Sequence, residues 1–155
     1  MKNSITLLVL VSVVLFSCKK KEKEPTTDEL KSDIPQVEQS ATQECYEYVQ
    51  GKDTIQANFL VQNNAISGDL YYKLYEKDKN TGKITGTING DTLLADYTFM
   101  SEGIKSVRQV VFLRKNKSLI EGSGESEEKE GKTVFKETKK LNFTSNIILN
   151  EIPCK

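Results

Sequence analysis

The sequence predicts an all-β fold built as an antiparallel meander. Two observations carry this prediction: apolar and polar residues alternate over many short segments, and turn signals separate these segments at roughly ten-residue spacing. No segment after residue 44 has a convincing helical periodicity. A meander of about eight to ten strands either closes into a barrel or folds into a sandwich. We favour a small lipocalin-like β-barrel, with a β-sandwich as the alternative.

The first predicted strands alternate most clearly. They cover residues 45–49, 54–62, 66–77, 84–88 and 92–100. Turns are predicted between them at residues 51–52, 63–64, 78–82 and 89–91. The last of these turns reads Asn89-Gly90-Asp91, which is a strong hairpin signal.

The later strands are shorter and less regular. They are predicted at residues 106–115, 119–125, 133–137 and 147–152, with turns at Glu102-Gly103 and at the charged segment 125–132. Glycines within the strand pattern are expected where a strand bends at a barrel corner; they are Gly86, Gly90, Gly122 and Gly124.

The chain begins with a predicted export signal. Lys2 precedes an apolar run at residues 5–16. A helix that spans the hydrocarbon core of a membrane needs roughly 20 apolar residues, so this shorter run indicates a signal peptide. The run ends in Leu15-Phe16-Ser17-Cys18, which resembles the lipoprotein processing signal. We expect cleavage before Cys18 and attachment of diacylglyceryl and N-acyl (palmitate) chains to it; the alternative is an ordinary cleaved signal with an incidental cysteine.

Three segments follow from this interpretation. Residues 1–17 are the signal peptide, residues 18–44 a lipidated flexible tether, and residues 45–155 a single β-barrel domain. The tether is charged and poor in large apolar residues, so it cannot bury enough surface to order itself. Several acyl chains hold a protein almost permanently on a membrane. We therefore expect a protein anchored to the outer membrane and facing the periplasm, with surface display as the alternative.

The cysteine count supports the same interpretation. If Cys18 carries lipid, Cys45 and Cys154 remain as a pair. Such a pair in an oxidising compartment is expected to form a disulfide. The bridge would join the first and last strands of the domain, which a closed barrel brings together.

Composition excludes several functions. The chain carries 22 basic and 22 acidic residues, and a nucleic-acid partner would require a basic face. It contains no histidine, which removes Ser-His-Asp catalysis, Cys-His catalysis and imidazole metal sites. We therefore expect no enzyme activity, no metal site and no cofactor.

One charged group stands out within the strand pattern. Arg108 lies in an otherwise apolar strand, Glu102 precedes it across a turn, and Glu121 lies on the next strand. Together with Asp96 they would form a cluster for a polar ligand if they point into the barrel mouth. The alternatives are a structural ion-pair network or an outer-face position. The tyrosines are expected mainly in the core or barrel wall; they are Tyr71, Tyr72, Tyr75 and Tyr97.

A family resemblance covers residues 45–154. The segment 71–103, with the pattern Tyr-Glu-Lys-Asp-x-Asn-x-Gly at residues 75–82, and the sequence Ser106-Val107-Arg108 resemble a group of small Gram-negative bacterial lipoproteins. The resemblance implies a lipid cysteine and a tether before a compact domain flanked by two cysteines. It implies no activity.

We therefore expect an envelope lipoprotein whose barrel binds a small ligand or a protein partner without catalysis. The alternative is a structural or inhibitor-type lipoprotein that acts through its surface.

Overall fold

The computed structural model describes residues 40–155, most of which lie in ten β-strands. The strands are β1 (Thr42–Gln50), β2 (Asp53–Gln62), β3 (Ala65–Lys73), β4 (Asn80–Asn89), β5 (Thr92–Ser101), β6 (Ile104–Lys115), β7 (Ser118–Glu121), β8 (Ser126–Lys129), β9 (Lys132–Phe135) and β10 (Ile148–Glu151). A 3₁₀-helix follows β9 at Thr138–Lys140. The all-β prediction is confirmed. Over residues 40–155, no helix has the length and apolar character to cross a bilayer.

Eight of these strands form a closed antiparallel barrel of lipocalin-like shape. Strands β1 to β7 pair in sequence, each with the next. The chain then leaves the barrel and returns as β10, which inserts between β7 and β1. Every barrel strand therefore has two neighbours, and the β-sandwich alternative is excluded.

The barrel has two ends, which we call the cleft end and the entry end. The turns β1–β2, β3–β4 and β5–β6 lie at the cleft end, whereas β2–β3, β4–β5 and β6–β7 turn at the entry end. Strand β1 begins at the entry end with Thr42, three residues before Cys45, where the domain was predicted to begin. The predicted signal peptide, Cys18 and the tether up to residue 39 lie outside the described residues.

Alternating side chains fill the barrel interior. The largest fully buried ones are Tyr97, Phe59, Phe112, Ile55, Ile66, Leu70, Ile84, Leu93, Leu119, Leu149 and Val111; all except Val111 belong to the barrel core. Tyr72 and Tyr97 are core residues as expected, whereas Tyr75 lies exposed in the β3–β4 turn. Because apolar side chains occupy the middle of the barrel, inward-facing charged groups are found near its ends.

Glycines on the inward faces of β3 and β4 let neighbouring strands approach closely. A Cβ at Gly86 would lie 2.1 Å from the Leu94 carbonyl oxygen and 2.6 Å from the Ala95 Cβ. Gly82 is equally confined by the Thr98 carbonyl oxygen, at 2.0 Å. The predicted turn at residues 78–82 is therefore wrong in its second half. Gly82 belongs to β4, where it is needed for close strand approach rather than for a turn.

The segment between β7 and β10 packs on the outer face of the barrel. Strands β8 and β9 form a hairpin, and β9 meets β6 in parallel where Thr133 pairs with Arg108. The Phe135 amide donates a hydrogen bond to Gln109 Oε1 at 2.9 Å on the outer face of β6. The prediction of a single charged turn at residues 125–132 is therefore wrong. Most of this charged segment forms strand β8 and the start of strand β9, so the turn between them has only two residues, Glu130 and Gly131.

The predicted disulfide is confirmed. Cys45 and Cys154 are bridged, with 5.4 Å between their Cα atoms and a sequence separation of 109. The bridge joins β1 to the segment that follows β10. Strands β1 and β10 are themselves neighbours in the barrel. It therefore fixes the seam at which the C-terminal strand closes the barrel.

Candidate functional site

A polar cleft of about 420 Å³ opens at the cleft end of the barrel. Five barrel strands contribute to its charged and polar lining, with Tyr72 on β3, Asn80 on β4, Ser101 on β5, Arg108 on β6 and Glu121 on β7. Leu74 and Ile147 supply an apolar wall. A volume of this order is typical of small-molecule sites, in which a few polar groups orient a ligand against apolar walls.

Arg108 is the cation at the centre of this cleft. Its strand register places it opposite Tyr97, on the inward face of β6. The guanidinium carbon lies 5.3 Å from the ring centre of Tyr72, 5.6 Å from that of Tyr97 and 5.4 Å from that of Phe99. Three rings around one guanidinium stabilise the cation through their negative faces and leave its planar fork with a limited range of orientations.

The described part of the chain supplies few ion-pair or hydrogen-bond partners for the Arg108 guanidinium. Among residues 40–155, no carboxylate forms an ion pair with Arg108, and its buried Nε has no hydrogen-bond partner. Arginine normally uses its fork of donors to hold carboxylates or phosphates. This arginine is therefore positioned by aromatic contacts with donor capacity remaining.

Glu121 is the partly buried anion of the cleft, and Tyr72 holds it by a hydrogen bond. The Tyr72 hydroxyl donates to Glu121 Oε1 at 2.7 Å. Burial raises the pKa of the Glu121 carboxyl above its usual value, while the Tyr72 hydrogen bond and the Arg108 charge act in the opposite direction. Burial, together with the Glu121 charge, also raises the Tyr72 pKa well above its usual value. The hydroxyl consequently remains a proton donor at neutral pH.

Two further buried polar atoms near Arg108 lack protein partners. The Asn80 side-chain oxygen and the Tyr97 hydroxyl make no hydrogen bond within the described part of the chain. Asn80 pairs with Tyr72 across strands, and Tyr97 pairs with Arg108. Burial is the leading cause that raises the Tyr97 pKa to about 12. A buried polar group without a partner costs about 1–3 kcal/mol, and of these two residues Asn80 lines the cleft whereas Tyr97 lies beneath Arg108 in the core.

Two of the predicted site residues come together and two do not. Arg108 and Glu121 line the same cleft, whereas Glu102 lies exposed in the β5–β6 turn and does not line it. Glu102 was expected within cross-strand reach of Arg108, but it lies in the turn itself, and the residue opposite Arg108 is Tyr97. Asp96 faces outward and pairs with Lys132 at 2.5 Å.

Tyr72 and Asn80 are members of the site that the sequence pattern did not indicate. Tyr72 shares strand parity with Leu70 and Leu74, which indicated an inward position but also suggested an ordinary core residue. Asn80 was assigned to a turn. Its parity with Ile84 and Ile88 gives the inward position only when β4 begins at Asn80.

A second polar cluster lies at the entry end, and its groups are paired. Arg114 contacts Glu44 Oε1 at 2.7 Å, and the Tyr46 hydroxyl donates to Glu44 Oε2 at 2.7 Å. Burial, followed by the Glu44 hydrogen bond and charge, raises the Tyr46 pKa to about 12. This arginine contrasts with Arg108, because its guanidinium is neutralised by the protein's own carboxylate.

A surface hollow of about 500 Å³ also lies at the entry end. Its side chains bond to one another: Ser118 donates to Asn150 at 3.0 Å, and Lys117 lies 3.6 Å from Glu151. Among residues 40–155, no group of three or more histidine, cysteine, aspartate or glutamate side chains is arranged to hold a metal ion. The cleft around Arg108 is therefore the strongest candidate site.

Fold and site together define a small lipocalin-like barrel with a packed interior and a polar cleft at one end. Comparison with family models, curated proteins and solved structures gives no match. The function is accordingly argued from the site's own chemistry.

Proposed function

We propose that this is a lipid-anchored envelope protein whose barrel binds a small polar ligand in the cleft around Arg108. The observation that carries the proposal is Arg108 itself, a partly buried cation enclosed by three rings, without an ion pair in the described barrel. Its neighbour Glu121 is partly buried as well. Partly buried charges without an ion pair contribute little to the stability of a folded domain, whereas a ligand that pairs with them gains both charge-assisted hydrogen bonds and orientation.

The barrel's construction supports binding rather than catalysis. The chain has no histidine, and its Cys45 and Cys154 thiols are committed to a disulfide. Glu121 accepts a hydrogen bond from Tyr72, and no nucleophile motif accompanies it. We therefore propose a non-enzymatic role, in which the packed barrel holds the cleft residues rigidly.

The anchor proposal rests on the sequence around Cys18 and on the resemblance to small Gram-negative lipoproteins. The barrel supports it in one respect: β1 begins at the entry end, so a tether joined to β1 would leave the cleft at the other end accessible. We propose attachment to the outer membrane, with the domain in the periplasm.

Membrane fractionation tests the anchor. The wild-type protein should sediment with membranes and require detergent for release, whereas the Cys18→Ala variant should lose the lipid and, with it, firm attachment. A Cys18→Ala variant that still required detergent for release would contradict the anchor proposal without bearing on the cleft.

A thermal-shift screen with a library of polar metabolites tests ligand binding. A compound present at 100 times its Kd stabilises the native state by about 2.7 kcal/mol. We expect compounds that raise the Tm of the wild-type protein and leave that of an Arg108→Met variant unchanged. Shifts of equal size in both proteins would place binding outside this cleft.

One observation favours a protein partner as the second candidate function. Large apolar side chains are exposed around the cleft end, where β1, β3 and β5 end and β6 and β10 begin; they are Val49, Tyr75, Met100, Ile104 and Ile148. Exposed apolar side chains gathered at one end of a domain are typical of protein interaction sites. Crosslinking in intact envelopes from position 104 would capture such a partner, and failure to crosslink would disfavour this candidate.

A further inference from the structure

We propose that the ligand is a small zwitterion of the amino-acid type, whose carboxylate pairs with Arg108 and whose ammonium pairs with Glu121. This inference rests on the proposed ligand-binding function and specifies its chemistry. The charges that line the cleft are balanced: Arg108 and Lys77 are basic, whereas Glu121 and Asp78 are acidic. A phosphate dianion would face two carboxylates, and a plain cation would face the arginine.

The cation side of the cleft fits a carboxylate. Arg108 presents a planar fork of donors, and its ring neighbours Tyr72, Tyr97 and Phe99 offer no competing negative charge at neutral pH. A carboxylate can accept two parallel hydrogen bonds from such a fork. The ligand carboxylate would also pair with a guanidinium that is partly dehydrated and has no ion pair among the described residues. Charge-assisted hydrogen bonds are strongest in such surroundings.

The anion side fits an ammonium. Glu121 Oε1 already accepts from Tyr72 at 2.7 Å, but a carboxylate has several further acceptor positions. Burial raises its pKa, which a cationic partner would reverse. Tyr72 contacts both Glu121 and Arg108, so the two charged groups flank one side chain and a short ligand can reach both.

The remaining walls define the ligand's third part. Leu74 and Ile147 line the cleft beside the charged pair and are partly exposed. An apolar side chain attached between the carboxylate and the ammonium would bury against them. The cleft, at about 420 Å³, accommodates a ligand of this size.

Two matched probe series test the inference by isothermal titration of the detergent-solubilised, full-length protein. One series is leucine, 4-methylpentanoate and 3-methylbutylamine; the other is phenylalanine, 3-phenylpropionate and 2-phenylethylamine. Within each series, the second compound keeps the apolar group and the carboxylate but lacks the ammonium, and the third keeps the apolar group and the ammonium but lacks the carboxylate. We expect a zwitterion of at least one series to bind roughly tenfold or more tightly than both of its truncated partners, since each lost charge pair removes a charge-assisted bond.

Variants assign the two charges. In Arg108→Met, zwitterion and carboxylate probes should both lose binding. In Glu121→Gln, the affinity of the zwitterion should fall to that of its carboxylate partner, whose own affinity should stay unchanged. Glu127→Gln, an exposed residue on β8 away from the cleft lining, is the matched control and should bind all probes as the wild type does.

Two results would overturn the inference. If the carboxylate probes bind as tightly as the zwitterions, and Glu121→Gln has no effect, the cleft is a simple anion site; the proposed ligand-binding function would survive. If none of the six probes binds, the zwitterion assignment fails, and the metabolite screen with wild type and Arg108→Met decides separately whether the cleft binds any ligand.

Discussion

At the scale of single residues, two arginines of the same barrel have opposite surroundings. Arg114 pairs with Glu44, whose side chain is only 15% exposed, whereas Arg108 has three aromatic neighbours and no ion pair among the described residues. A partly buried charge is costly when its partner is removed, and replacing an unpaired one by an apolar side chain is not. The comparison therefore distinguishes an arginine neutralised by the protein's own carboxylate from one that has no ion pair among the described residues and is available to the proposed ligand.

We predict that Arg114→Met lowers the free energy of unfolding by about 1–3 kcal/mol, because it leaves the Glu44 carboxylate uncompensated. Arg108→Met should lower it by less, about 1 kcal/mol or below, since methionine keeps the packing against the rings and leaves no carboxylate uncompensated, so that only the cation–ring attraction is lost. Urea denaturation of both variants in ligand-free buffer measures the difference. A larger loss in Arg108→Met than in Arg114→Met would assign Arg108 a structural role.

The second residue-scale prediction concerns Glu121 and pH. Its pKa is raised in the folded state, so the folded protein binds this proton more tightly than the unfolded chain does. The associated stability is fully present below the usual glutamate pKa of about 4.3 and is lost as the pH rises through the raised value. The free energy of unfolding of Glu121→Gln, relative to that of the wild type, should therefore be highest at neutral pH and should fall on acidification.

Urea denaturation at pH 7.5 and pH 4.5 tests this sign. Glutamine can still accept from the Tyr72 hydroxyl, so the variant changes ionisation more than contacts. Glu127→Gln on β8 provides the comparison for removing an exposed carboxylate. A wild-type advantage that grows with rising pH would contradict the burial argument.

At the scale of elements, the sequence predicted strands better than it predicted their connections. The regular alternation of β2 and β5 identified these strands to within one residue, because one face of each is buried. Asn89-Gly90-Asp91 identified the β4–β5 turn, and Gly90 has the left-handed φ of +59° that this turn requires. Local chemistry decides these features, so a single sequence reveals them.

Other connections depended on distant contacts. Gly82 resembled a turn residue, and only its close approach to β5 shows why a strand requires it. Likewise, β8 and β9 have a largely polar sequence that predicted a turn, and they are supported by Gln109 and Asp96 on the barrel wall. The site followed the same rule: Arg108 and Glu121 were predicted, but Tyr72 and Asn80 required the strand register.

The inward glycines give the element-scale prediction. Gly86→Ala would place a Cβ 2.1 Å from the Leu94 carbonyl oxygen, and backbone must move to accommodate it. We expect the free energy of unfolding to fall by about 1–3 kcal/mol or more. Thr87→Ala, an exposed neighbour on β4, is the control and should cost clearly less. Equal effects in thermal or urea unfolding would show that β4 adjusts without strain.

At the scale of the whole molecule, closure distinguishes this barrel from an open sheet. β10 is only four residues long, yet it joins β7 to β1 and completes the hydrogen bonding of both. The Cys45–Cys154 bridge lies beside this seam. A short closing strand and a covalent link thus act together, and they keep the β7 residue Glu121 in place at the cleft.

We expect reduction of the bridge to lower the free energy of unfolding by about 3–5 kcal/mol, because the loop it closes spans 109 residues. Denaturation with and without a phosphine reductant measures this on one sequence. Cys45→Ala/Cys154→Ala should reproduce the reduced value and should not respond to the reductant. A loss below about 1 kcal/mol would show that strand pairing alone closes the barrel.

The central claim, that the cleft binds a ligand, is tested most directly by native mass spectrometry of protein extracted from envelopes in detergent. The wild type should carry a non-covalent small molecule at one copy per chain. Arg108→Met should lose this mass, and Arg114→Met, whose substitution lies at the entry end, should retain it. Wild-type protein without any bound molecule, or a mass that persists in Arg108→Met, would contradict the account.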